Sequence, residues 1–310
     1  MLQIFVNANY DFVGKRRWFY GASATLVLIG LLSIALHGGL NYGIDFTGGT
    51  LIQVRFDRAV SVDQVRRGLD AIKLGSAVIQ QFGGPEEHLI RLPEAGQKPE
   101  EITKRVQAAL ESSTGGKAEI RRVEFVGPQV GRDLQLQALY AVLAGMTGIL
   151  IYVAIRFDFR GGVVSVLALF HDVMVTLGAL SITNREMSLP VLAALLTIVG
   201  YSINDTIVVF DRIRESRGKG IRKGQDLASL INGAINQTLS RTILTSFTTF
   251  MAAFVLFLFG GEVLQDFAFA LVVGVVTGTY SSVAAATLVM DWELWWRGRA
   301  HAAGKVPAKA

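Results

Sequence analysis

The stretch that decides the fold is Leu189–Glu215, which reads LPVLAALLTIVGYSINDTIVVFDRIRE. Within it, Pro190–Phe210 is apolar enough to cross a bilayer, which takes about 20 residues. Asp205 nevertheless lies inside this segment, next to Asn204 and without a cation nearby in the sequence. A carboxylate at membrane depth is costly unless it is neutralised, paired or hydrated. The stretch therefore predicts a transmembrane helix whose polar side faces another helix or a hydrated cavity.

The composition of the whole chain is typical of a membrane protein. Of its 310 residues, 51% are hydrophobic and 18% charged, and the mean hydropathy is +0.42. Lys and Arg lie beside apolar segments instead of forming one patch, which argues against nucleic acid as a partner. The absence of cysteine excludes disulfides and thiolate sites. Walker-type loops, HExxH and GxSxG do not occur, so no enzyme activity, cofactor or catalytic residue is predicted.

Six apolar segments are long enough to span a bilayer. They are Trp18–Leu36, Leu134–Ile155, Val163–Ile182, Leu189–Phe210, Thr242–Phe259 and Leu264–Met290. The first follows Lys15, Arg16 and Arg17 and ends in LHGGL, without a clear A-x-A cleavage site. This indicates an uncleaved signal anchor, with a removed signal peptide as the alternative.

Lys and Arg in the connections predict the orientation. The N-terminus, Arg156–Arg160, the 211–232 connection and the tail are basic, whereas Thr183–Ser188 has one Arg and Gly260–Glu262 none. Because such residues accumulate on the cytoplasmic side, both termini are predicted to be cytoplasmic. The predicted domains are 1–39 (cytoplasmic N-terminus and first transmembrane helix), 40–133 (external, periplasmic-side domain), 134–291 (five-helix transmembrane region) and 292–310 (cytoplasmic tail).

The predicted external region, Leu40–Asp133, alternates between strand and helix patterns. The predicted elements are strand Leu51–Phe56, helix Ser61–Ile72, strands Ala77–Phe82 and His88–Leu92, helix Pro99–Leu110 and strand Ala118–Val126. The order β-α-β-β-α-β is the split βαβ or ferredoxin-like α+β plan, with one antiparallel sheet and two helices on one face. His88 has no ligand partner nearby in the sequence and is predicted to be a surface residue.

A glycine-rich run, GIDFTGGT, opens this region at Gly43–Thr50. A phosphate-binding loop is disfavoured, because neither a helix start nor a Lys follows as that motif requires. We predict a tight bend between membrane and strand that uses the backbone freedom of Gly43, Gly48 and Gly49.

Arg241, near the start of the fifth segment, is the predicted electrostatic partner of Asp205. The fourth and fifth segments run in opposite directions, so both residues are predicted to lie at similar depth, about 8 Å from the cytoplasmic end. Gln237, Arg241 and Thr245 form a polar stripe that faces the stripe ending at Asp205. An Asp–Arg pair would relieve the desolvation cost of both groups. A structural clasp, a proton-coupled switch and an Arg241 that extends to the headgroups are all compatible with this pattern.

His171 and Asp172 lie inside the third segment. Neighbours on a helix are about 100° apart, so the two side chains are predicted to point in different directions. Interhelical hydrogen bonding and a place in a proton path are both compatible with the pair. A metal site is disfavoured, because no third ligand is evident.

Small residues four apart predict faces for close helix packing, within the chain or against a partner. They are Ala141/Gly145 and Ala144/Gly148 in the second segment and Gly274/Gly278 in the sixth.

Several motifs together resemble those of the SecD/SecF family of protein-export membrane proteins. They are GIDFTGG at 43–49, VGPQVG at 126–131, HDV at 171–173, GYSINDTIVVFDRIRE at 200–215, NQTLSRT at 236–242 and the Gly-rich sixth segment. The resemblance covers nearly the whole chain. It implies a resistance-nodulation-division type of architecture in a bacterial inner membrane, and use of the proton-motive force to help preproteins finish crossing.

The resemblance also implies site residues and partners. It matches Asp205 to the proton-path carboxylate of the family and Arg241 to its arginine partner. Together with the polar residues found above, the predicted proton path comprises Asp205, Arg241, Asn204, His171 and Asp172, and the predicted structural motif comprises Gly43, Asp45, Gly48 and Gly49. In the family, SecD supplies a further membrane carboxylate, so the site of this chain is expected to be incomplete alone. The other implied partners are the SecYEG channel, YidC, YajC, the preprotein and membrane lipid.

Two other functions are weighed against this one. The first is half of a proton-driven drug or lipid exporter of the same superfamily, which the small external region of about 80 residues disfavours. The second is a purely structural membrane scaffold, which would have no need for an ionisable Asp205.

Overall fold

The structure, a computed structural model, describes residues 5, 8–93, 98–218 and 226–302. The chain divides into two compact units. The membrane unit comprises Met1–Asn41, Val142–Glu186 and Pro190–Ala310, and the sheet unit comprises Tyr42–Ala141 and Met187–Leu189. Three basic residues of the predicted 211–232 connection (Lys219, Arg222 and Lys223) and residues 303–310 of the predicted tail lie outside the described residues.

The elements follow one another in this order: α1 (Arg16–Leu36), β1 (Asn41–Tyr42), α2 (Ile44–Thr47), β2 (Gly49–Phe56), α3 (Val62–Ala71), β3 (Val78–Phe82), β4 (Gly84–Leu92), α4 (Pro99–Thr114), β5 (Ala118–Val126), α5 (Pro128–Arg156), α6 (Phe159–Ile182), β6 (Glu186–Met187), α7 (Leu189–Gly218), α8 (Leu227–Phe259) and α9 (Glu262–Ala302).

Among the described residues, six helices are long and apolar enough to cross a membrane: α1, α5, α6, α7, α8 and α9. Each of the six predicted segments lies in one of them, so the predicted number of transmembrane helices is confirmed. The helices run further than the apolar segments. The largest extension is in α8, which begins at Leu227 instead of Thr242, because the side chain of Asp226 caps it by accepting from the Ser229 amide at 2.8 Å.

Glycines bring two pairs of helices of the membrane unit close together. A Cβ added to Gly274 of α9 would lie 2.3 Å from Ile198 of α7, and one added to Gly278 would lie 3.1 Å from the Cβ of Ser202. The close packing predicted for this glycine pair is therefore confirmed, against α7. A second close contact, not predicted from the sequence, joins α1 and α6: a Cβ on Gly30 would lie 2.8 Å from the Cα of Gly178.

The small-residue faces predicted on the second segment lie on α5. A Cβ added to Gly148 would have no neighbour within 4 Å, and one added to Gly145 would make only an ordinary contact of 3.6 Å with Leu196. Among the described residues these faces are therefore not close-packing surfaces within the chain.

The sheet unit contains the predicted β-α-β-β-α-β order. Its four strands β2, β3, β4 and β5 pair antiparallel in the spatial order β3-β4-β2-β5. Helices α3 and α4 pack their apolar sides onto the sheet, with Val65 and Val106 fully buried beside Ile52 and Ile90. Ser61 begins α3 through the capping box with Gln64.

The prediction that His88 is a surface residue is wrong. His88 is fully buried on β4, where it pairs with Val54 of β2 and packs edge-to-face against Phe56 at 5.6 Å. The residue follows the strand alternation: His88, Ile90 and Leu92 share the face that the helices cover. Neither ring nitrogen has a hydrogen-bond partner, and burial lowers the pKa of this imidazole below its ordinary value of 6.5.

The glycine-rich run forms a bend, but it also contains one helical turn, α2, which the sequence analysis did not predict. Gly48 and Gly49 have φ values of +69° and +115°, and a Cβ on Gly49 would lie 2.3 Å from the Leu92 carbonyl oxygen. Gly43 has φ −74°, which any residue can adopt, so the prediction of backbone freedom there is wrong. Its position explains the difference, because Gly43 is the extended residue that begins α2.

Asp45 of the same run forms a specific contact. Its Oδ2 accepts a hydrogen bond of 2.9 Å from the amide of Leu189, the first residue of α7. The amide has no partner within its own helix at that position, so the carboxylate satisfies it.

Candidate functional site

Asp205 lies on α7 and is only 1% exposed. Its Oδ2 accepts one hydrogen bond, from the Ser246 hydroxyl of α8 at 3.3 Å. Ser246 in turn accepts from Thr279 of α9 at 2.8 Å. We call Asp205, Ser246 and Thr279 the Asp205 cluster; it joins three helices through one carboxylate and two hydroxyl groups.

Arg241 does not contact Asp205. In the part of the chain that the structure describes, no ion pair joins the two residues, and Arg241 is exposed. The stripe predicted to face Asp205 is displaced by one residue on α8. Ser246, and not its neighbour Thr245, contacts Asp205. Gln237 and Arg241 are exposed. Periodicity defines a face but not how far the helix is rotated against its neighbour, and this rotation decides which side chain makes the contact.

Asn204 is also exposed, although it precedes a buried residue. Successive residues of a helix are about 100° apart, so Asn204 and Asp205 leave α7 on different sides. Asn204 and Arg241 are therefore not part of the Asp205 cluster.

Asp172 of α6 is fully buried. Its Oδ1 accepts from the His171 Nδ1 at 2.9 Å, and its Oδ2 accepts from Ser281 of α9 at 2.9 Å and from Ser202 of α7. The prediction that the His171 and Asp172 side chains point in different directions is wrong. Their Cβ atoms start about 100° apart, but the imidazole and carboxylate are long enough to converge.

The hydrogen bonds continue beyond His171. Its Nε2 lies 2.9 Å from the Tyr280 hydroxyl of α9, which lies 2.7 Å from the Ser23 hydroxyl of α1. When Asp172 is ionised, it can only accept, so the Nδ1–H of His171 donates to it. The Nε2 of the neutral ring then accepts from the Tyr280 hydroxyl. The Tyr280 oxygen in turn accepts from the Ser23 hydroxyl. We call this group (Ser23, His171, Asp172, Ser202, Tyr280 and Ser281) the Asp172 cluster.

The two clusters share α7 and α9. Ser202 and Asp205 lie three residues apart on α7, and Thr279, Tyr280 and Ser281 are consecutive on α9. Thr279 belongs to the Asp205 cluster, and its two successors belong to the Asp172 cluster. The sequence analysis missed the residues of α9, although the polar run Thr277–Ser282 inside an apolar segment was a usable signal.

Neither cluster suggests a metal ion. Over the described residues, no three His, Asp or Glu side chains gather in a way that could hold one. The chemistry that these groups offer is hydrogen bonding and proton exchange.

The comparisons with known proteins agree on one family. The profile "Protein export membrane protein SecD/SecF, C-terminal" matches residues 105–295, and the profile "SecD/SecF GG Motif" matches residues 35–60. The protein translocase subunit SecF of Calditerrivibrio nitroreducens is 47% identical over 91% of this chain and 93% of its own length. That of Magnetococcus marinus is 47% identical over 94% of this chain and 95% of its own length.

A solved structure is also similar. The crystal structure of SecDF, a translocon-associated membrane protein from Thermus thermophilus, superposes with a TM-score of 0.83 at 40% sequence identity. The match covers 95% of this chain but 40% of that one, so this chain spans about two fifths of the length of SecDF.

Proposed function

The chain belongs to the SecD/SecF family of protein-export membrane proteins, and we propose that it is a translocase subunit that couples proton movement to the late steps of preprotein translocation. One observation carries the proposal. Among the described residues, Asp172 and Asp205 are buried within helices long and apolar enough to cross a membrane, and neither forms an ion pair with Lys or Arg. Ionisable groups in such positions commonly form proton relays. The proposed role is transport and not enzyme catalysis.

The Asp172 cluster supports a path for protons. Ser23, Tyr280 and His171 form a continuous series of hydrogen bonds that ends at Asp172. Hydroxyl and imidazole groups both donate and accept, so each can pass a proton to the next. Asp205 is the proposed titrating switch, because its single hydrogen bond constrains it least.

We propose SecD as the partner that completes the Asp205 site. The similar solved structure is of SecDF, and this chain corresponds to only part of its length. Asn204 and Arg241 are exposed on neighbouring helices, which supports a role for both towards SecD when protons move. SecYEG, YidC and YajC are proposed as further partners in a bacterial inner membrane, on family membership alone.

The orientation is part of the proposal. Both termini are assigned to the cytoplasm and residues 40–133 to the external side, on the distribution of Lys and Arg in the connections. The external region is proposed to be a ferredoxin-like domain, which its element order and strand order support. It would contact emerging preprotein or the external domain of SecD.

The test is Asp205→Asn in the full chain, co-reconstituted with SecD and the translocation channel. The amide keeps the shape of the carboxylate but cannot titrate, so gradient-stimulated export should be abolished while insertion and assembly are retained. Proton flux and preprotein protection from protease are measured in the same vesicles. The gradient is sufficient in principle, because one charge crossing 100 mV is worth about 2.3 kcal/mol.

The matched control is Asp226→Asn, which makes the same change at the N-cap of α8, where Asn and Asp are nearly equivalent. It should export normally. A structural clasp at Asp205 would instead lower the yield of assembled protein, and an assembled Asp205→Asn variant with normal gradient-stimulated export would falsify the switch.

A further inference from the structure

A second polar site lies at the end of the membrane unit where α5 ends and α6 begins. It is a cavity of about 230 Å³ lined by three arginines, Arg156, Arg214 and Arg217, and by an apolar wall that includes Phe157, Phe210 and Val289. That volume is roughly eight times the 30 Å³ that a water molecule occupies in the liquid. None of these residues belongs to the Asp205 or Asp172 cluster.

Two of the three arginines have carboxylate partners. Arg156 forms an ion pair with Asp211, and Arg217 pairs with Glu293 of α9 at 2.6 Å. Both pairs are partly shielded from water, and their charges cancel. They fix the walls of the cavity but do not give it a net charge.

The third arginine, Arg214, differs from the other two in its pairing. It has no ion-pair partner within the described ranges, and its side chain is exposed. The remaining acidic residue of the lining, Asp158, caps α6 by accepting from the Gly161 amide at 3.1 Å. Its charge therefore faces the positive end of a helix dipole. Arg214 is therefore the cavity arginine whose guanidinium forms no ion pair with a carboxylate among the described residues.

We propose that this cavity binds the phosphodiester of an anionic phospholipid, with Arg214 as its main contact. A phosphodiester carries one negative charge, which can pair with the Arg214 guanidinium, and its oxygens fit the planar fork of that group. The apolar wall suits the glycerol and the first part of an acyl chain. The position also fits, because the cavity lies at the ends of apolar helices, on the side with the most basic connections. Basic pockets of this kind between transmembrane helices bind anionic headgroups.

The test is native mass spectrometry of the full chain in mild detergent, titrated with phosphatidylglycerol or, in parallel, with phosphatidylcholine. The wild-type chain should retain phosphatidylglycerol selectively. Arg214→Gln removes the unpaired charge and breaks no ion pair, so it should weaken retention about tenfold, the value of one charge-assisted hydrogen bond. Thermal unfolding without added lipid should be unchanged.

The matched control is Arg212→Gln, on the same helix and with the same change in net charge. Arg212 pairs with Glu215 and does not line the cavity, so its replacement should leave retention within twofold of wild type. If both variants lost phosphatidylglycerol retention equally, the effect would come from the net charge of the surface and not from the cavity, and the proposal would be overturned. Displacement of the lipid by millimolar inorganic phosphate would also overturn it, because the site would then select a soluble anion.

Discussion

The two buried carboxylates of the membrane unit differ in how completely the chain surrounds them. Asp172 has no exposed surface and accepts hydrogen bonds from one imidazole and two serine hydroxyls. Asp205 is 1% exposed and accepts one, from a serine at 3.3 Å. A buried charge is tolerated only when hydrogen bonds replace the lost water. Asp172 is thus satisfied within this chain, whereas Asp205 needs groups from a partner or from water.

The difference arises on the same two helices. The α7 helix carries Asp205 and a donor to Asp172, and α9 carries consecutive side chains that bond towards each cluster. Glycines of α9 hold the two helices together at this level. A shift of α7 against α9 would therefore change the hydrogen bonding of both carboxylates at once. This shared geometry is what a protonation event at Asp205 would act on.

The largest effect is expected from a substitution that separates α7 from α9 at the Asp172 cluster. In Gly278→Leu the new Cβ would lie 3.1 Å from the Ser202 Cβ and 3.5 Å from the Asp172 Oδ2. Overpacking by even small additions costs about 1–3 kcal/mol, and leucine adds three further carbons. We expect little folded protein, measured as the monodisperse fraction after membrane extraction.

The control for this substitution is Gly200→Leu on α7, where an added Cβ has no neighbour within 4 Å. Its yield should match that of the wild type. Normal yield from Gly278→Leu would show that the helices are not held at this point.

A finer test compares the same substitution at the two carboxylates. Asp172→Asn places an amide NH₂ where the carboxylate accepts from several donors, and it should destabilise the chain by about 1.5–3 kcal/mol. Asp205→Asn disturbs one long hydrogen bond and should cost clearly less. The measurement is thermal unfolding of the purified chain in one detergent. A larger loss of stability for Asp205→Asn than for Asp172→Asn would contradict our conclusion that Asp172, and not Asp205, has all its hydrogen-bond partners within this chain.

The sequence predicted the fold well where local rules decide. Hydropathy alone located the six apolar helices, and α3 begins directly after Ser61, where the predicted helix starts. The strand pattern found every strand of the four-stranded sheet. The burial of His88 was predicted wrongly, because it was judged from the polarity of the side chain. Strand alternation places His88 on the same face as Ile90 and Leu92, which is the buried face.

The site was predictable only in part, because its contacts are long-range. Asp205 and the His171–Asp172 pair stand out as polar groups in apolar segments, and they were found. Their partners depend on how the helices are rotated: Ser23 meets Tyr280 across 257 positions, and Asp172 meets Ser281 across 109. No periodicity within one helix contains that information. The predicted direct contact of Asp205 with Arg241 is absent for the same reason, although the charge of Arg241 still acts on Asp205 at a distance.

His88 in the sheet unit extends the comparison to a buried titratable group with no hydrogen bond at all. Asp172 and Asp205 have hydrogen-bond partners, whereas both nitrogens of His88 are buried without one. Burial therefore acts on the imidazole without compensation, and it lowers the pKa of His88 below 6.5. Folding of the sheet unit therefore disfavours the protonated form of this ring.

The smallest effect we predict is an acid sensitivity of the sheet unit that depends on His88. The unfolded chain binds a proton at this position near pH 6.5, and the folded chain binds it only at a lower pH. Stability is therefore unaffected well above pH 6.5 and falls as the pH drops below it. The slope is at most about 1.4 kcal/mol per pH unit for one proton. His88→Leu removes both the titration and the unsatisfied nitrogens, so it should flatten this dependence and leave stability at pH 7.5 unchanged or higher.

Amide hydrogen exchange of β2 and β4 in the full chain at pH 7.5 and 5.5, corrected for intrinsic exchange rates, measures the difference. The same loss of protection in both proteins would mean that His88 is protonated in the folded state without cost, and that a buried group in this chain needs no partner to be tolerated.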